Sequence, residues 1–227
     1  MNLPARIAAI CIASVTLVAC GNEKSEPSPI ASAMFGLART TIARVSGKVS
    51  SPTRTASAAQ TSRAELDSYG ISILRVVIKS RAADALVTVT DKKGDVVTWS
   101  TTDGTTFVLR EGVLVQTRGI GPDLMSAAAP WVADLRAEAG IHKRSYFFLG
   151  EDDQTNRRDY DCTMSRAGIE IIEVFERQHR TTHLKETCVR AEGKITNDFW
   201  LEGSIIRKSR QWASPGTGYI EFELAVD

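Results

Sequence analysis

The pattern of apolar and polar positions changes twice along the chain of 227 residues. Near the N-terminus, Ile7–Val18 is a short uninterrupted apolar run. Residues 30–70 then place apolar side chains at helical spacing within Ser/Thr/Ala-rich sequence, and residues 71–227 follow the two-residue period of strands. The pattern therefore predicts an N-terminal signal, a helical or irregular segment at 30–70, and a large β domain at 71–227.

The β domain is predicted to consist of short strands joined by tight turns. Pairs such as Lys93-Gly94, Asp103-Gly104 and Glu111-Gly112 separate the strands, and glycine supplies the positive φ that tight hairpins need. A parallel return needs about a dozen residues or more, so strands this close are antiparallel neighbours. The predicted strands cover residues 71–80, 85–91, 96–100, 105–110, 113–117, 142–149, 156–165, 168–176, 180–191, 194–202, 204–213 and 218–225.

So many consecutive hairpin strands cannot remain one flat sheet, because the twist accumulates. We therefore predict a mainly β fold, a large antiparallel meander curled into a half-barrel or sandwich, with short N-terminal helices. One helix is expected to begin at Pro29 and end near Gly47, and the capping-box pattern Ser62-x-x-Glu65 predicts a second. Residues 119–140 interrupt the strand pattern, and a short helix is expected from Pro130 to Ala139.

The N-terminus carries the pattern of an export signal. Arg6 precedes an apolar run of about 12 residues, which is shorter than the roughly 20 that a membrane-spanning helix needs. Leu17-Val18-Ala19-Cys20 closely resembles the lipobox of bacterial lipoproteins, in which the cysteine is acylated after cleavage. We predict a signal peptide at 1–19, lipidation at Cys20 and a polar, Pro-rich tether at 20–29. An ordinary secretory peptide with a chance cysteine is the alternative.

Charge and cysteine content agree with export. Lys plus Arg total 28 and Asp plus Glu total 27, a balance that argues against a nucleic-acid binder. An exported protein reaches an oxidising compartment, where disulfides persist. Cys162 and Cys188 lie in predicted strands and are expected to pair, closing a loop worth about 3–4 kcal/mol in the chain-entropy model. A free reactive thiol is the alternative.

The sequence offers no convincing catalytic or metal-binding set. His179 and His183 face the same side of a strand, but a metal site needs three or four ligands and the remaining histidine is His142. We therefore expect no metal, no cofactor and no catalytic residues. Four aromatic residues either form a stacking platform for sugars or belong to the core, which is the more common arrangement: Trp99, Trp200, Trp212 and Tyr219.

The strand near the C-terminus suggests one candidate binding face. Its two-residue period places Arg210 and Trp212 on the same side, and neither side of the strand is uniformly apolar. We predict that Arg210 and Trp212 contribute to a polar concave face for a polymer or a protein partner. A buried Trp212, with Arg210 extending to solvent, is the alternative.

Three stretches of the β domain resemble the YjbF/GfcB lipoproteins. They are Trp99-Ser-Thr-Thr-Asp-Gly104, Gly112–Met125 and Ser209-Arg-Gln-Trp-Ala-Ser-Pro215 with Gly218-Tyr219. The resemblance covers roughly residues 71–225 together with the lipobox. It implies an outer-membrane lipoprotein with a periplasmic antiparallel β domain, linked with exopolysaccharide and group 4 capsule secretion, and it brings no catalytic residues.

The sequence favours one function and leaves two alternatives open. We expect an accessory, non-catalytic component of polysaccharide export, lipid-anchored to the periplasmic face of the outer membrane. Its partners would be the membrane, the polymer or proteins of the export machinery, and not nucleic acid. The alternatives are a periplasmic enzyme that acts on a glycan and a generic envelope scaffold.

Overall fold

The structure is a computed structural model that describes Ala58 and residues 61–138, 140–149 and 154–227. These residues belong to one compact unit, which spans residues 50–227. The predicted signal peptide at 1–19, the lipidation site Cys20, the tether at 20–29 and the helix expected from Pro29 to Gly47 lie outside the described residues.

The described chain contains two short α-helices, one 3-10 turn and twelve strands. Helix α1 is Arg63–Ser68, a 3-10 turn spans Lys79–Arg81, and helix α2 is Val132–Arg136. The strands are β1 Ile73–Ile78, β2 Ala83–Lys93, β3 Val96–Ser100, β4 Thr106–Arg110, β5 Val113–Arg118, β6 Leu124–Ala128, β7 Ile141–Leu149, β8 Thr155–Val174, β9 Arg177–Arg190, β10 Gly193–Glu202, β11 Ile205–Ser214 and β12 Gly218–Val226.

All twelve described strands form one antiparallel sheet in the order β5-β4-β3-β2-β1-β12-β11-β10-β9-β8-β7-β6. Neighbours along the chain are neighbours in the sheet, except for β5 and β6, which form its two edges. The first and last strands pair, with Val76 opposite Phe222. The chain therefore forms two meanders, β1–β5 and β6–β12, which are joined where β1 meets β12.

The sheet curls until its edges almost meet, which gives a nearly closed barrel. Thr117 on edge strand β5 accepts a hydrogen bond from the backbone N–H of Leu124 on edge strand β6 at 2.9 Å. Asp123 organises the connection between them, because its carboxylate accepts from Thr117 at 3.0 Å and from the Gly119 N–H at 2.9 Å. Side-chain hydrogen bonds thus occupy the place of a continuous backbone ladder between the edges.

The inner face of the barrel holds the main hydrophobic core. Strand alternation places apolar residues of every strand from β1 to β12 toward this interior. Representative members are Leu74, Val87, Phe107, Tyr146 and Phe222. Helix α2 and the ends of β5, β9, β10 and β11 form a second apolar cluster, which includes Leu135 and Phe199.

The long hairpin β8–β9 extends beyond the barrel wall and turns back over other strands. Its tip residue Phe175 packs against a third cluster formed by Leu66 of α1, Ile73 of β1 and Ala225 of β12. Arg75 of β1 also lies over the Phe175 ring, at 5.9 Å from its centroid. The hairpin tip therefore reaches past β10 and β11, which separate β9 from β12 in the sheet, to contact β1 and β12.

The mainly β, antiparallel meander fold predicted from the sequence is confirmed, and helix α1 has the expected cap. The Ser62 side chain accepts from the Glu65 backbone N–H at 3.3 Å, as the capping pattern indicates. Two predictions within the sheet are wrong. Residues 156–165 and 168–176 are one strand, β8, interrupted by a bulge between Arg166 and Gly168.

The second error concerns residues 119–140, where the sequence predicts no strand. Strand β6 is present there because Leu124–Ala128 pairs with β7, although its Ala-rich sequence has weak strand propensity. Helix α2 begins at Val132 and ends at Arg136, and is therefore shorter than the helix expected from Pro130 to Ala139.

Candidate functional site

Cys162 and Cys188 are joined by a disulfide in the barrel interior. They lie directly opposite each other on β8 and β9, with their Cα atoms 3.9 Å apart and an S–S distance of 2.03 Å. Neither side chain reaches solvent, and both belong to the main core. The bond therefore fixes the register of the long β8–β9 hairpin at the barrel wall.

A buried ionic cluster lies beside the disulfide, centred on Glu186 of β9. The carboxylate of Glu186 accepts from Arg144 Nη1 at 2.7 Å, from His142 Nε2 at 2.7 Å and from Asn197 Nδ2 at 2.6 Å. Strands β7, β9 and β10 supply these side chains, and both Arg144 and Glu186 have no exposed side-chain surface. Asn197 Oδ1 also accepts from the Trp212 backbone N–H at 2.7 Å, which ties the cluster to β11.

The cluster keeps both members of the buried ion pair charged. Burial opposes ionisation of Glu186, but the guanidinium of Arg144 and the bonds from His142 and Asn197 outweigh it, so the pKa of Glu186 is lowered. Burial likewise opposes the charge on Arg144, and Glu186 outweighs it, so the pKa of Arg144 is raised. Burial raises the pKa of Tyr146, whose ring lies 5.1 Å from the Arg144 guanidinium.

The same region brings together three residue types that bind metals elsewhere. Ligand atoms of His142, Cys162 and Glu186 lie within 4.8 Å of one another. The Cys162 sulfur is bonded to Cys188, so it is not a thiolate, which is the form that binds metals. His142 Nε2 and Glu186 are bonded to each other. With the disulfide formed and His142 hydrogen-bonded to Glu186, these residues act as a structural link between strands.

A second polar cluster lies on the opposite face of the sheet, across the paired strands β8, β9 and β10. His183 is held between two carboxylates, with Nδ1 at 2.8 Å from Glu170 and Nε2 at 2.9 Å from Asp198. The Trp200 ring stacks on His183, with 4.4 Å between centroids, and its Nε1 donates to Glu170 at 2.7 Å. Glu170 lies on the extended part of β8, so these bonds attach the hairpin to β10.

His179 makes an equivalent attachment closer to the tip. The buried His179 bonds through Nδ1 to Glu202 at 3.0 Å, and Glu202 also accepts from Arg207 at 2.8 Å. The bonds from His179 and Arg207 lower the pKa of Glu202, and those from Trp200 and His183 lower the pKa of Glu170. His179 and His183 do share a face of β9, and each is paired with carboxylates.

The structure separates Arg210 and Trp212, which the sequence placed on one concave face. Trp212 is only 7% exposed and packs edge-on against Tyr146, with ring centroids 4.9 Å apart. Arg210 lies over the Tyr219 ring, with its Cζ 3.6 Å from the centroid. The β11–β12 register is regular from Arg210 to Trp212 and shifts between Trp212 and Ser214. The two side chains therefore do not form one binding face.

The sequence pattern does not identify one exposed aromatic residue, Trp131. Trp99 and Trp212 are buried and Trp200 is covered by His183, whereas Trp131 is 47% exposed. Trp131 follows the poorly patterned Ala-Ala-Ala-Pro segment before α2, where no periodicity marks it as surface or core. An isolated tryptophan after a proline, outside any apolar pattern, is the signal that could have identified it.

The disulfide and the nearly closed sheet define a mainly β domain with an internal disulfide. None of the helices in the described residues is long and apolar enough to cross a membrane. The family model described as "Group 4 capsule polysaccharide lipoprotein gfcB, YjbF" matches residues 31–224. The chain belongs to this family, which confirms the resemblance seen in the sequence. Membership of a lipoprotein family implies attachment to a membrane of the cell envelope.

A solved structure shows the same fold. The crystal structure of the hypothetical lipoprotein YmcC from Escherichia coli (K12) is similar to this chain with a TM-score of 0.68 at 17% sequence identity. The similarity covers 89% of this chain and 98% of that chain. None of the curated proteins matches this chain.

Proposed function

We propose that this protein is a lipoprotein of the outer membrane, held at its periplasmic face through Cys20, and an accessory non-catalytic component of exopolysaccharide or capsule secretion. The observation that carries the proposal is the match of residues 31–224 to the capsule polysaccharide lipoprotein family. The lipobox at Leu17–Cys20 supports the anchor, and Gly21 after the cysteine resembles the outer-membrane pattern of enterobacterial lipoproteins.

The hydrogen bonds of His179 and His183 support a structural role for these two residues. A general base needs a nitrogen that is free to take the substrate's proton. Both ring nitrogens of His183 are bonded to carboxylates, and His179 is buried against Glu202. These groups join strands and attach the hairpin, which is the work of a scaffold.

Deleting the gene and measuring surface polysaccharide tests the proposal. We expect the deletion strain to show less polymer on its surface, with an unchanged sugar composition, and complementation with the wild-type gene to restore it. Unchanged amount and composition would contradict the proposal. Incubating the purified protein with extracted polymer provides the control, since shortened chains would indicate a glycan-cleaving enzyme instead.

A further inference from the structure

A groove beside helix α2 combines an exposed aromatic ring with polar side chains. Its volume is about 440 Å³. It lies between α2 and the start of β7, and its wall includes Trp131, Asp134, Ile141, His142 and Lys143. A volume of this size falls within the roughly 300–1,000 Å³ of small-ligand sites.

The ring of Trp131 is held in place from one side. The Arg110 guanidinium lies over the ring, with Cζ 4.1 Å from the centroid. Arg110 is itself fixed, because its Nη2 donates to the backbone carbonyls of Ala129 and Pro130. Trp131 nevertheless remains 47% exposed. An aromatic face that is immobilised before binding loses little conformational entropy when a flat apolar ligand surface stacks on it.

Other aromatic rings on the outside of the described domain are already covered. Trp200 has His183 stacked on it and the Lys208 ammonium 5.9 Å from its ring. Tyr219 carries Arg210 at 3.6 Å. Trp131 therefore offers a stacking surface that these two rings do not.

The buried ionic cluster sets the state of His142, which lines the groove. Glu186 is ionised and accepts only, so the His142 Nε2 that bonds it must carry a proton. No hydrogen bond to the described residues engages the other ring nitrogen, Nδ1, so this nitrogen can bond a ligand hydroxyl at the edge of the groove. Lys143 follows His142 on β7, so its ammonium lies on the opposite face of the strand, where it pairs with Asp161 at 2.9 Å.

We propose that this groove binds a short stretch of polysaccharide, with the apolar face of one sugar ring stacked on Trp131 and a hydroxyl bonded to His142. The inference rests on the proposed function, because it assigns the polymer of that pathway as the ligand. Sugars present both an apolar CH face and a ring of hydroxyls, and the groove provides a matching surface for each. A protein partner would need about 800 Å² of contact on this side, which a narrow groove does not supply.

Affinity of the full mature protein for size-fractionated polysaccharide from the producing strain, measured by calorimetry, tests this site. We expect Trp131→Ala to weaken binding by about tenfold or more, because truncating a central tryptophan removes a large part of an interface's energy. Trp131→Phe retains an aromatic face and should recover part of the affinity. Trp200→Ala, which removes a tryptophan outside the groove, should bind as the wild type does.

A second measurement does not depend on any variant. Of the four tryptophans, Trp131 is the one held open to solvent, so acrylamide should quench its fluorescence preferentially. We expect polysaccharide from the producing strain to protect this emission, and polyethylene glycol, which has no sugar ring, to give no protection at the same concentration. The melting temperature of Trp131→Ala is the folding control, because the substitution keeps the Trp131 N–H bond to Asp134 and removes the ring contact with Arg110.

The possible outcomes separate this inference from the proposed function. Equal binding by wild type and Trp131→Ala, or no protection of the emission, would overturn the groove assignment. If the deletion strain still loses surface polymer, the proposed function stands without this site. If Trp131→Ala instead abolishes cross-linking to an envelope protein while polymer binding persists, the groove is a protein contact and the inference is wrong.

Discussion

Glu186 shows at the scale of a single residue how this barrel tolerates charge in its interior. Its carboxylate accepts three hydrogen bonds, from Arg144, His142 and Asn197, and so links β9 to β7 and β10. A buried ion pair of this kind adds little when it is intact, because desolvation offsets the attraction. Removing one partner is costly, because the other charge stays buried without compensation.

We therefore predict that Glu186→Gln lowers the free energy of unfolding by about 3–5 kcal/mol. Urea unfolding followed by circular dichroism measures the change. Glu192→Gln is the matched control, since Glu192 pairs with Arg190 on the surface and should leave the unfolding midpoint unchanged. A Glu186→Gln protein as stable as the wild type would show that the buried ionic cluster does not stabilise the barrel.

The hairpin β8–β9 shows at the scale of an element what sequence periodicity can and cannot reveal. Alternation located both strands and placed His179 and His183 on one face, because a two-residue period is a local property. The sequence predicts a strand end at the Gly168 bulge, since one unpaired residue and a true turn interrupt the pattern alike. The carboxylate partners Glu170, Asp198 and Glu202 lie on the neighbouring strands β8 and β10, and no local pattern encodes which residues of paired strands meet.

The disulfide should contribute measurably to the stability of this hairpin. We predict that replacing both Cys162 and Cys188 with serine lowers the free energy of unfolding by about 2–5 kcal/mol, the range for native disulfides in small secreted domains. Maleimide labelling of the denatured wild-type protein from the periplasm should modify neither cysteine. Two labelled thiols at these positions would contradict the pairing.

The attachment of the hairpin should depend on pH. Glu170 and Glu202 have lowered pKa values in the folded protein, so their contribution is complete above the unfolded carboxyl pKa of about 4.3 and is lost as the pH falls through the folded values. We predict that lowering the pH below about 4.3 speeds hydrogen exchange in residues 168–182, after correction for the intrinsic rate. This loss of protection should occur at a higher pH than the loss of protection in β11 and β12. The double variant Glu170→Gln, Glu202→Gln should show no such acid-induced increase in exchange. The same increase in the variant would show that these two carboxylates do not cause it.

Closure of the sheet is the property that belongs to the whole molecule. The interior side chain of Gln211 on β11 bonds across the barrel to edge strand β5, accepting from the Leu114 N–H at 2.8 Å and donating to the Gly112 carbonyl at 2.8 Å. The sequence indicated a curled sheet but not its closure. Twist follows from the number of strands, whereas the pairing of β1 with β12 and the bridge from Gln211 join residues far apart in the chain.

We predict that Gln211→Leu destabilises the barrel, because it leaves the Leu114 N–H and the Gly112 carbonyl without their partner, at about 1–3 kcal/mol for each buried group. Urea unfolding gives the magnitude, and hydrogen exchange should show the largest loss of protection in β5. Gln178→Leu, at an exposed position on β9, serves as the control. Unchanged protection of β5 would mean that the edge is held by other contacts.

The same limit of local information applies to the candidate sites. The lipobox and the cysteine pair are readable because their chemistry is carried by residue type and position alone. The Trp131 groove is not readable, since its ring, its support from Arg110 and the oriented His142 come from separate strands and a helix. The predicted Arg210–Trp212 face failed for a related reason, because Trp212 packs against Tyr146 of β7, a contact between residues far apart in the chain.

The most direct test of the account is the distribution of polysaccharide between the surface and the cell interior in a deletion strain complemented with wild-type or Cys20→Ala protein. We predict that the wild-type gene restores surface polymer. The Cys20→Ala protein should fold but fractionate away from the outer membrane, without labelled fatty acid, and leave polymer inside the cell. Full restoration of surface polymer by an unlipidated Cys20→Ala protein, or labelled fatty acid on that variant, would contradict the account.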